Sequence, residues 1–500
     1  MTYSRPGVYI TERLLPAPLV TTGTANAAGA TFGTFAQGPE TVTLVTSWYD
    51  FVKKFGGYDV AYPATFGVGQ FFYNGGSELY VRRVLASNAV AADVDIPAAD
   101  DEVNVGTFTA KNKGADGNNL RVQITQAAAG GGYYNVTVYR ETVAGTGNNV
   151  NNDVVLEQFT NVVFNNSTSS DFAPTVIGYS SAHITLTVSD TATAPSTAVL
   201  PLTGGSNGTA PDFEDYIAVL DDFNVVDRPL VVFASELFSV LNDEDGFDVQ
   251  EAMIEWAETN NGFAVLDTPP DLSNSSAISF AGSLTASSNA AVYYPNIFVQ
   301  DPLGRSPQAL RKSGPAAAVA GLYIQTDRQT GPFKAPAGIG ASIRSAVTLE
   351  RAFTNSELDD LNSASKPVNA LRNLPGAGIV SMGARTLKQD GTANRYVNMR
   401  RSLIYIKKQL NDITQFALFE NNDEKLWARI RTGIGVFLND YRNAGGLRGA
   451  TAEDAFFVKV DAENNSADSI ALGEVHIEIG VALEYPTEFV VINLSQKTSN

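Results

Sequence analysis

RPLVVFASELFSVLNDEDGFDVQEAMIEWAETNNGFAVLD, residues 228–267, decides the fold class. Leu230 to Ala234 and Gly262 to Leu266 are short apolar runs of the kind found in buried strands, and Val249 to Thr259 between them reads as a helix. Strand, helix, strand predicts helices layered on a sheet. Upstream, Tyr216 to Leu220 reads as a further helix, and the alternation continues to about residue 375. It also occurs earlier. VTLV (42–45) is a strand, Ser47 caps a helix carrying Trp48, Phe51, Val52 and Phe55, and Gly56-Gly57 ends it. Residues 66–73 form a second helix and LYVRRV (79–84) a strand. The expectation is one α/β domain made of two pieces, 21–100 and 204–375.

Residues 101–203 separate those pieces and have a different character. Leu120 to Thr125, Asn135 to Arg140, Val154 to Phe159 and Ile184 to Val188 are β-type runs divided by Asn, Gly, Ser and Thr clusters. They predict an inserted all-β domain. Residues 376–486 read as α+β. Leu403, Ile406, Leu410, Ile413 and Ala417 fall at helical spacing, as do Trp427, Ile430, Ile434, Phe437 and Tyr441. In 472–485 Val475, Ile477, Ile479, Val481 and Leu483 alternate with Glu474, His476, Glu478 and Glu484, which predicts a half-buried strand. The class is therefore α+β and multidomain.

Both ends read as arms. Residues 1–20 are extended, with Pro6, Pro16 and Pro18 forbidding a continuous helix around the strand-like Val8, Tyr9 and Ile10. Pro486 interrupts the last strand pattern, and residues 487–500 contain EFVVINL (488–494), apolar on both faces through Phe489, Val490, Val491, Ile492 and Leu494. Such a segment either returns to its own sheet or completes the sheet of a neighbouring copy.

The chain has 500 residues, 34 basic and 53 acidic, a net charge of −19 and no cysteine. The lack of cysteine excludes disulfides, thiolate metal sites and cysteine nucleophiles. The acidic balance argues against direct nucleic-acid binding. No apolar run approaches the roughly 20 residues of a membrane span, and the N-terminus lacks the apolar stretch of a signal peptide. The charge is uneven: residues 212–272 hold sixteen acids and one base, Arg228, whereas residues 395–408 hold Arg395, Arg400, Arg401, Lys407, Lys408 and no acid. Such a separation serves solubility or draws copies together head to tail, with Arg400, Arg401, Lys407 and Lys408 as the candidate electrostatic interface.

Catalytic signals are weak. GGSNG (204–208) matches a nucleophile elbow at Ser206, yet Thr209-Ala210-Pro211 follows where a helix is required. Asp243-Glu244-Asp245 lacks the glycine and distal glutamate of a calcium loop. His183 and His476 are too few for a multi-histidine metal site, and no phosphate-binding loop is present. Nothing points to an enzyme or to a cofactor.

Ten segments in order resemble the contractile tail sheath family of phages and related injection machines. They are PGVYITE (6–12), GPETVTLVTSWYDFVKKFGG (38–57), FFYNGGSELYVRRV (71–84), AKNKGADGNNLRVQI (110–124) and LTGGSNG (202–208). GPFKAPAG (331–338), LNSASKPVNALRNLPGAGIVSMGARTL (361–387), YVNMRRSLIYIKK (396–408), FENNDEKLW (419–427) and EYPTEFVVINL (484–494) follow. The resemblance implies a virion-tail polymer assembled in a host cytoplasm as stacked six-fold rings around an inner tube. It implies terminal arms that exchange strands between copies, and contraction that drives the tube through an envelope. The implied partners are other copies of the chain, the inner tail tube protein, and baseplate and tail terminator proteins, without nucleic acid or membrane insertion. Another β-rich virion or baseplate protein with a surface-binding insert is the alternative.

Overall fold

The computed structural model describes residues 27–99, 103–142, 149–188 and 194–488. The 228–267 segment lies at the centre of an eight-stranded sheet. Across the sheet the strands are Gly378–Ser381, Val368–Leu374, Ala290–Tyr294, Phe263–Asp267, Leu230–Phe233, Ala28–Gly33, Leu79–Arg83 and Thr43–Val45. The six inner strands are parallel and each edge strand is antiparallel to its neighbour. Both faces are covered, which is why the central strands Leu230–Phe233 and Phe263–Asp267 are almost wholly apolar. Val231, Phe233, Phe263 and Val265 enter one core; Leu230, Val232, Ala264 and Leu266 enter the other.

Helices Ala64–Tyr73 and Ala316–Gln329 lie on the first face. Their close crossing depends on Gly321, where a Cβ would fall 2.3 Å from the Phe71 carbonyl oxygen. Helix Asp243–Thr259 covers the second face through Val249, Met253 and Ile254. Ser47 caps its helix as expected, its Oγ accepting from the Asp50 N–H at 3.1 Å.

The insert has its own apolar core, running from Ala92 to Leu202. One sheet contains Val199–Pro201, Leu120–Gln126, Tyr134–Arg140 and Val154–Val162; the other contains Asp93–Pro97, Asn104–Ala110 and Ile184–Val188. Two expectations are corrected. Asp93–Pro97 pairs with Asn104–Ala110, so the insert begins before residue 101. It is also not all-β, since Ala173–Ser180 is a helix that buries Ala173 and Ile177 one turn apart. Pro174, a residue suited to the first helical turn, was the sequence signal for it.

In the C-terminal part, helices Val397–Thr414 and Glu424–Asn443 pack with a two-stranded ribbon, Phe456–Lys459 against Glu478–Val481. The first helix starts and ends earlier than its apolar spacing suggested; a 3-10 turn, Gln415–Ala417, and a left-handed Phe419 (φ 64°) close it. The strand expected over 472–485 forms a ladder only at Glu478–Val481, with one isolated bridge from Leu483 to Leu447. The buried Asn465 side chain occupies the ladder position at His476, accepting its N–H at 2.7 Å and donating to its carbonyl at 3.0 Å. The alternation persists as burial: Val475, Ile477, Ile479 and Val481 still pack on the C-terminal core.

Arg83 ties the insert to the sheet. It is fully buried, and its guanidinium donates to the carbonyls of Phe35 (3.0 Å), Gly38 (3.2 Å) and Lys113 (2.8 Å) and to Asn207 Oδ1 (3.4 Å). Lys113 lies inside the insert, after its strand Asn104–Ala110, and Asn207 lies where the chain returns from the insert to the domain. Burial pulls the Arg83 pKa below its ordinary value, opposed by Asp116, Tyr62 and Glu40. Arg83→Met leaves several buried carbonyls without a donor. It should lower the unfolding free energy by about 2–4 kcal/mol. Arg82→Met, which removes a partly exposed pair with Asp222 and a bond to the Arg83 carbonyl, should cost less than Arg83→Met, about 1 kcal/mol. Denaturant titration of both variants checks this.

Candidate functional site

The basic segment forms helix Val397–Thr414, which lies between the main sheet and the rest of the C-terminal part. Val397, Arg401 and Ile404 share its buried stripe. Arg401 is only 3% exposed. It forms an ion pair with the equally buried Asp327, and its guanidinium lies 4.5 Å over the Tyr323 ring. Tyr323 in turn shares a 2.5 Å hydroxyl–hydroxyl bond with Tyr293 of the central sheet. Burial raises the Asp327 carboxyl, with Arg401 acting against that rise. The placement of Arg401 on an intersubunit surface is thereby corrected, because an interior partner already compensates its charge.

Lys408 is corrected in the same way. Its ammonium reaches Asp412 at 2.6 Å and Asp227 at 3.0 Å. Burial alone would lower its pKa, but the two carboxylates raise it overall. Asp227 belongs to the acidic stretch, so the opposed charges meet within one chain. Asn261 strengthens that contact by donating to the Ile404 carbonyl at 3.1 Å. A groove of about 370 Å³ runs alongside, lined by Asp227, Glu258, Lys407 and Lys408 among others. Arg400 and Lys407 differ: among the described residues no carboxylate lies within ion-pair distance of either. Burial lowers the Arg400 pKa, against the pull of Glu258; burial and Arg400 lower that of Lys407.

Sequence reasoning missed Asp327. The signal was there: Ala316, Ala320, Tyr323 and Asp327 fall on one stripe of a buried helix, so an acid at the last position needs a buried cation.

The ribbon is the other half of the site. Two strands of four residues are marginal in isolation, and among the described residues no further strand joins either edge. Phe457, 53% exposed, stands on it. Two described residues toward the two ends of the chain lie close to the basic helix. Ala27 shares a small cavity with Arg401, Ile404 and Tyr405. Farther toward the helix N-terminus, Asn398 donates to the Glu484 carbonyl at 3.3 Å. The arm residues Val8, Tyr9, Ile10, Phe489, Val490, Val491, Ile492 and Leu494 lie outside the described residues.

The discounted groups have structural surroundings. Ser206 pairs backbone to backbone with Val90, and its Oγ accepts from the Gly208 N–H at 3.2 Å. Asp243, Glu244 and Asp245 form the first turn of a helix capped by Asn242, where acids favour the helix dipole. His183 precedes an insert strand, and burial lowers its pKa. His476 Nε2 lies 3.0 Å from Glu474 Oε2 on the surface. Among the described residues no group of three or more His, Asp or Glu is placed to hold a metal, and no helix is long and apolar enough to cross a membrane.

Residues 389–497, which contain the basic helix and the ribbon, match the phage tail sheath C-terminal domain family. They are a sheath C-terminal domain. The tail sheath protein of Vibrio phage KVP40 is 30% identical over 183 residues, 36% of this chain and 26% of that protein, so the match spans about a quarter of the relative's length. The fold extends the likeness to the whole chain, insert included. The contracted helical sheath of the anti-feeding prophage superposes with a TM-score of 0.60 at 21% identity, covering 99% of this chain and all of that one. A chain of the six-fold symmetrised anti-feeding prophage baseplate gives the same values. The sheath tail protein of Desulfitobacterium hafniense superposes at 0.53 with 14% identity, over 91% of this chain and 93% of that one. The chain thus has the α+β sheath fold expected from its sequence.

The buried pair joins the sheath domain to the main sheet, and its loss is testable. Arg401→Met or Asp327→Leu alone leaves a buried uncompensated charge and should cost about 3–5 kcal/mol. The double variant should be more stable than either single one, as a denaturant double-mutant cycle measures.

Proposed function

We propose that the chain is the subunit of a contractile tail sheath. It polymerises as stacked six-fold rings around an inner tube and contracts to drive that tube through a target envelope, docking on baseplate and terminator proteins at the tail ends. The observation that carries this reading is the two-stranded ribbon, which no further described strand completes, together with Ala27 and Glu484, which lie near the basic helix. A third and fourth strand from neighbouring copies would complete the ribbon by edge pairing. EFVVINL (488–494) and VYI (8–10) have the composition to supply them.

Strand exchange keeps copies connected while their other contacts change. Each added backbone hydrogen bond is a net stabiliser of about 1 kcal/mol, summed over a strand. Contraction is then a fall from a kinetically trapped lattice to a deeper one, mechanical and without nucleotide hydrolysis. Arg400 and Lys407 remain for electrostatic contact between copies or with the tube.

Deleting residues 489–500 should leave a chain that melts like the parent but forms no tubes. Negative-stain images and a thermal melt of the purified variant decide it; long tubes from the truncated chain would refute strand exchange by this arm.

A further inference from the structure

The C-terminal segment leaves the described residues through a set of fasteners. Leu483 bridges to Leu447, Asn398 holds the Glu484 carbonyl, and the Tyr485 ring meets the edge of Tyr396 at 6.2 Å. The last described residue, Glu488, then presents both carboxylate oxygens to Arg385, at 2.9 Å from Nε and 2.6 Å from Nη2. A fork-on-fork pair fixes direction as well as attraction. Donating to the Glu488 carboxylate raises the Arg385 pKa, against its burial.

Arg385 is itself held from behind. Its Nη1 donates to the Asn362 carbonyl at 2.9 Å. Its backbone N–H donates to Asn369 Oδ1 and its carbonyl accepts from Asn369 Nδ2, both at 2.8 Å. Asn369 is 2% exposed, sits in the sheet strand Val368–Leu374, and donates also to the Val292 carbonyl of the next strand at 3.0 Å. Gly383 permits the close approach: a Cβ there would lie 2.8 Å from Asn369 Cα. A continuous polar path therefore runs from the central sheet through Asn369 and Arg385 to the base of the arm. A four-residue ribbon strand pulled from its end would peel one bond at a time. The clamp at Glu488 meets the pull before the ribbon does.

We propose that Arg385 is the tension anchor of the C-terminal arm: it sets the direction in which residues beyond 488 leave and passes load on that arm to the central sheet through Asn369. This rests on the strand-exchange reading above. Lysine is a poor substitute, because an ammonium cannot hold a carboxylate by a fork.

The test compares the full-length parent with Arg385→Ala, Arg385→Lys and the exchanged pair Arg385→Glu with Glu488→Arg. Tube yield and length are read by negative-stain microscopy, and the melting point on unassembled chain. Arg385→Ala should lower tube yield at least tenfold, with the melting point within about 2 °C of the parent, since a partly exposed pair adds little to stability. Arg385→Lys should fall between, and the exchanged pair should recover most of the yield. Parent-like tubes from Arg385→Ala would overturn the proposal, as would a melting point that falls in step with assembly. Deletion of 489–500 separates the two readings. If the deletion abolishes tubes and Arg385→Ala does not, the anchor is wrong and strand exchange stands. If neither matters, both fall.

Discussion

A guanidinium and a carboxylate buried against each other, Arg401 and Asp327, fix the sheath domain on the main sheet. Removing two charges from water costs several kcal/mol per ion, and only close geometry with further partners offsets it. Tyr323 supplies a ring face under the guanidinium and passes the contact through Tyr293 into the central sheet. The arrangement tolerates little displacement, so the two parts hold one relative orientation. Ala27 and Glu484 lie close to the helix that carries Arg401.

The clustered charges serve this internal joint first. Asp227 of the acidic stretch meets Lys408 of the basic helix, and Asn261 reaches the helix backbone beside it. Charge separation along the sequence thus becomes charge complementarity inside one subunit. Of the four basic residues expected to face a neighbouring copy, Arg401 and Lys408 are paired within the chain. Attraction within a chain carries no cost of association, so it satisfies such charges before a neighbour can.

Four strands of the main sheet, Thr43–Val45, Leu79–Arg83, Leu230–Phe233 and Phe263–Asp267, were legible as short runs of β-type or apolar residues. The caps at Ser47 and Gly56 were legible for the same local reason. The Ala173–Ser180 helix was hidden by its length, since two turns barely establish a period. The strand at 472–485 was over-read because a side-chain amide, Asn465, can replace a ladder partner without altering the apolar alternation. The unfinished ribbon was not visible in sequence, because partner strands are chosen by tertiary approach.

By itself the sequence determined the α+β class, that a β-rich stretch interrupts an α/β alternation, and the resemblance to sheath proteins. These follow from periodicity, turn residues and ordered motifs, which are properties of neighbours along the chain. Only the tertiary structure decided which charges are satisfied internally, that Arg401 is buried while Arg400 beside it has no paired carboxylate, and that Arg385 holds the base of the arm. Those outcomes depend on groups 74 and 103 residues apart meeting in space, and local pattern carries no information about such a meeting.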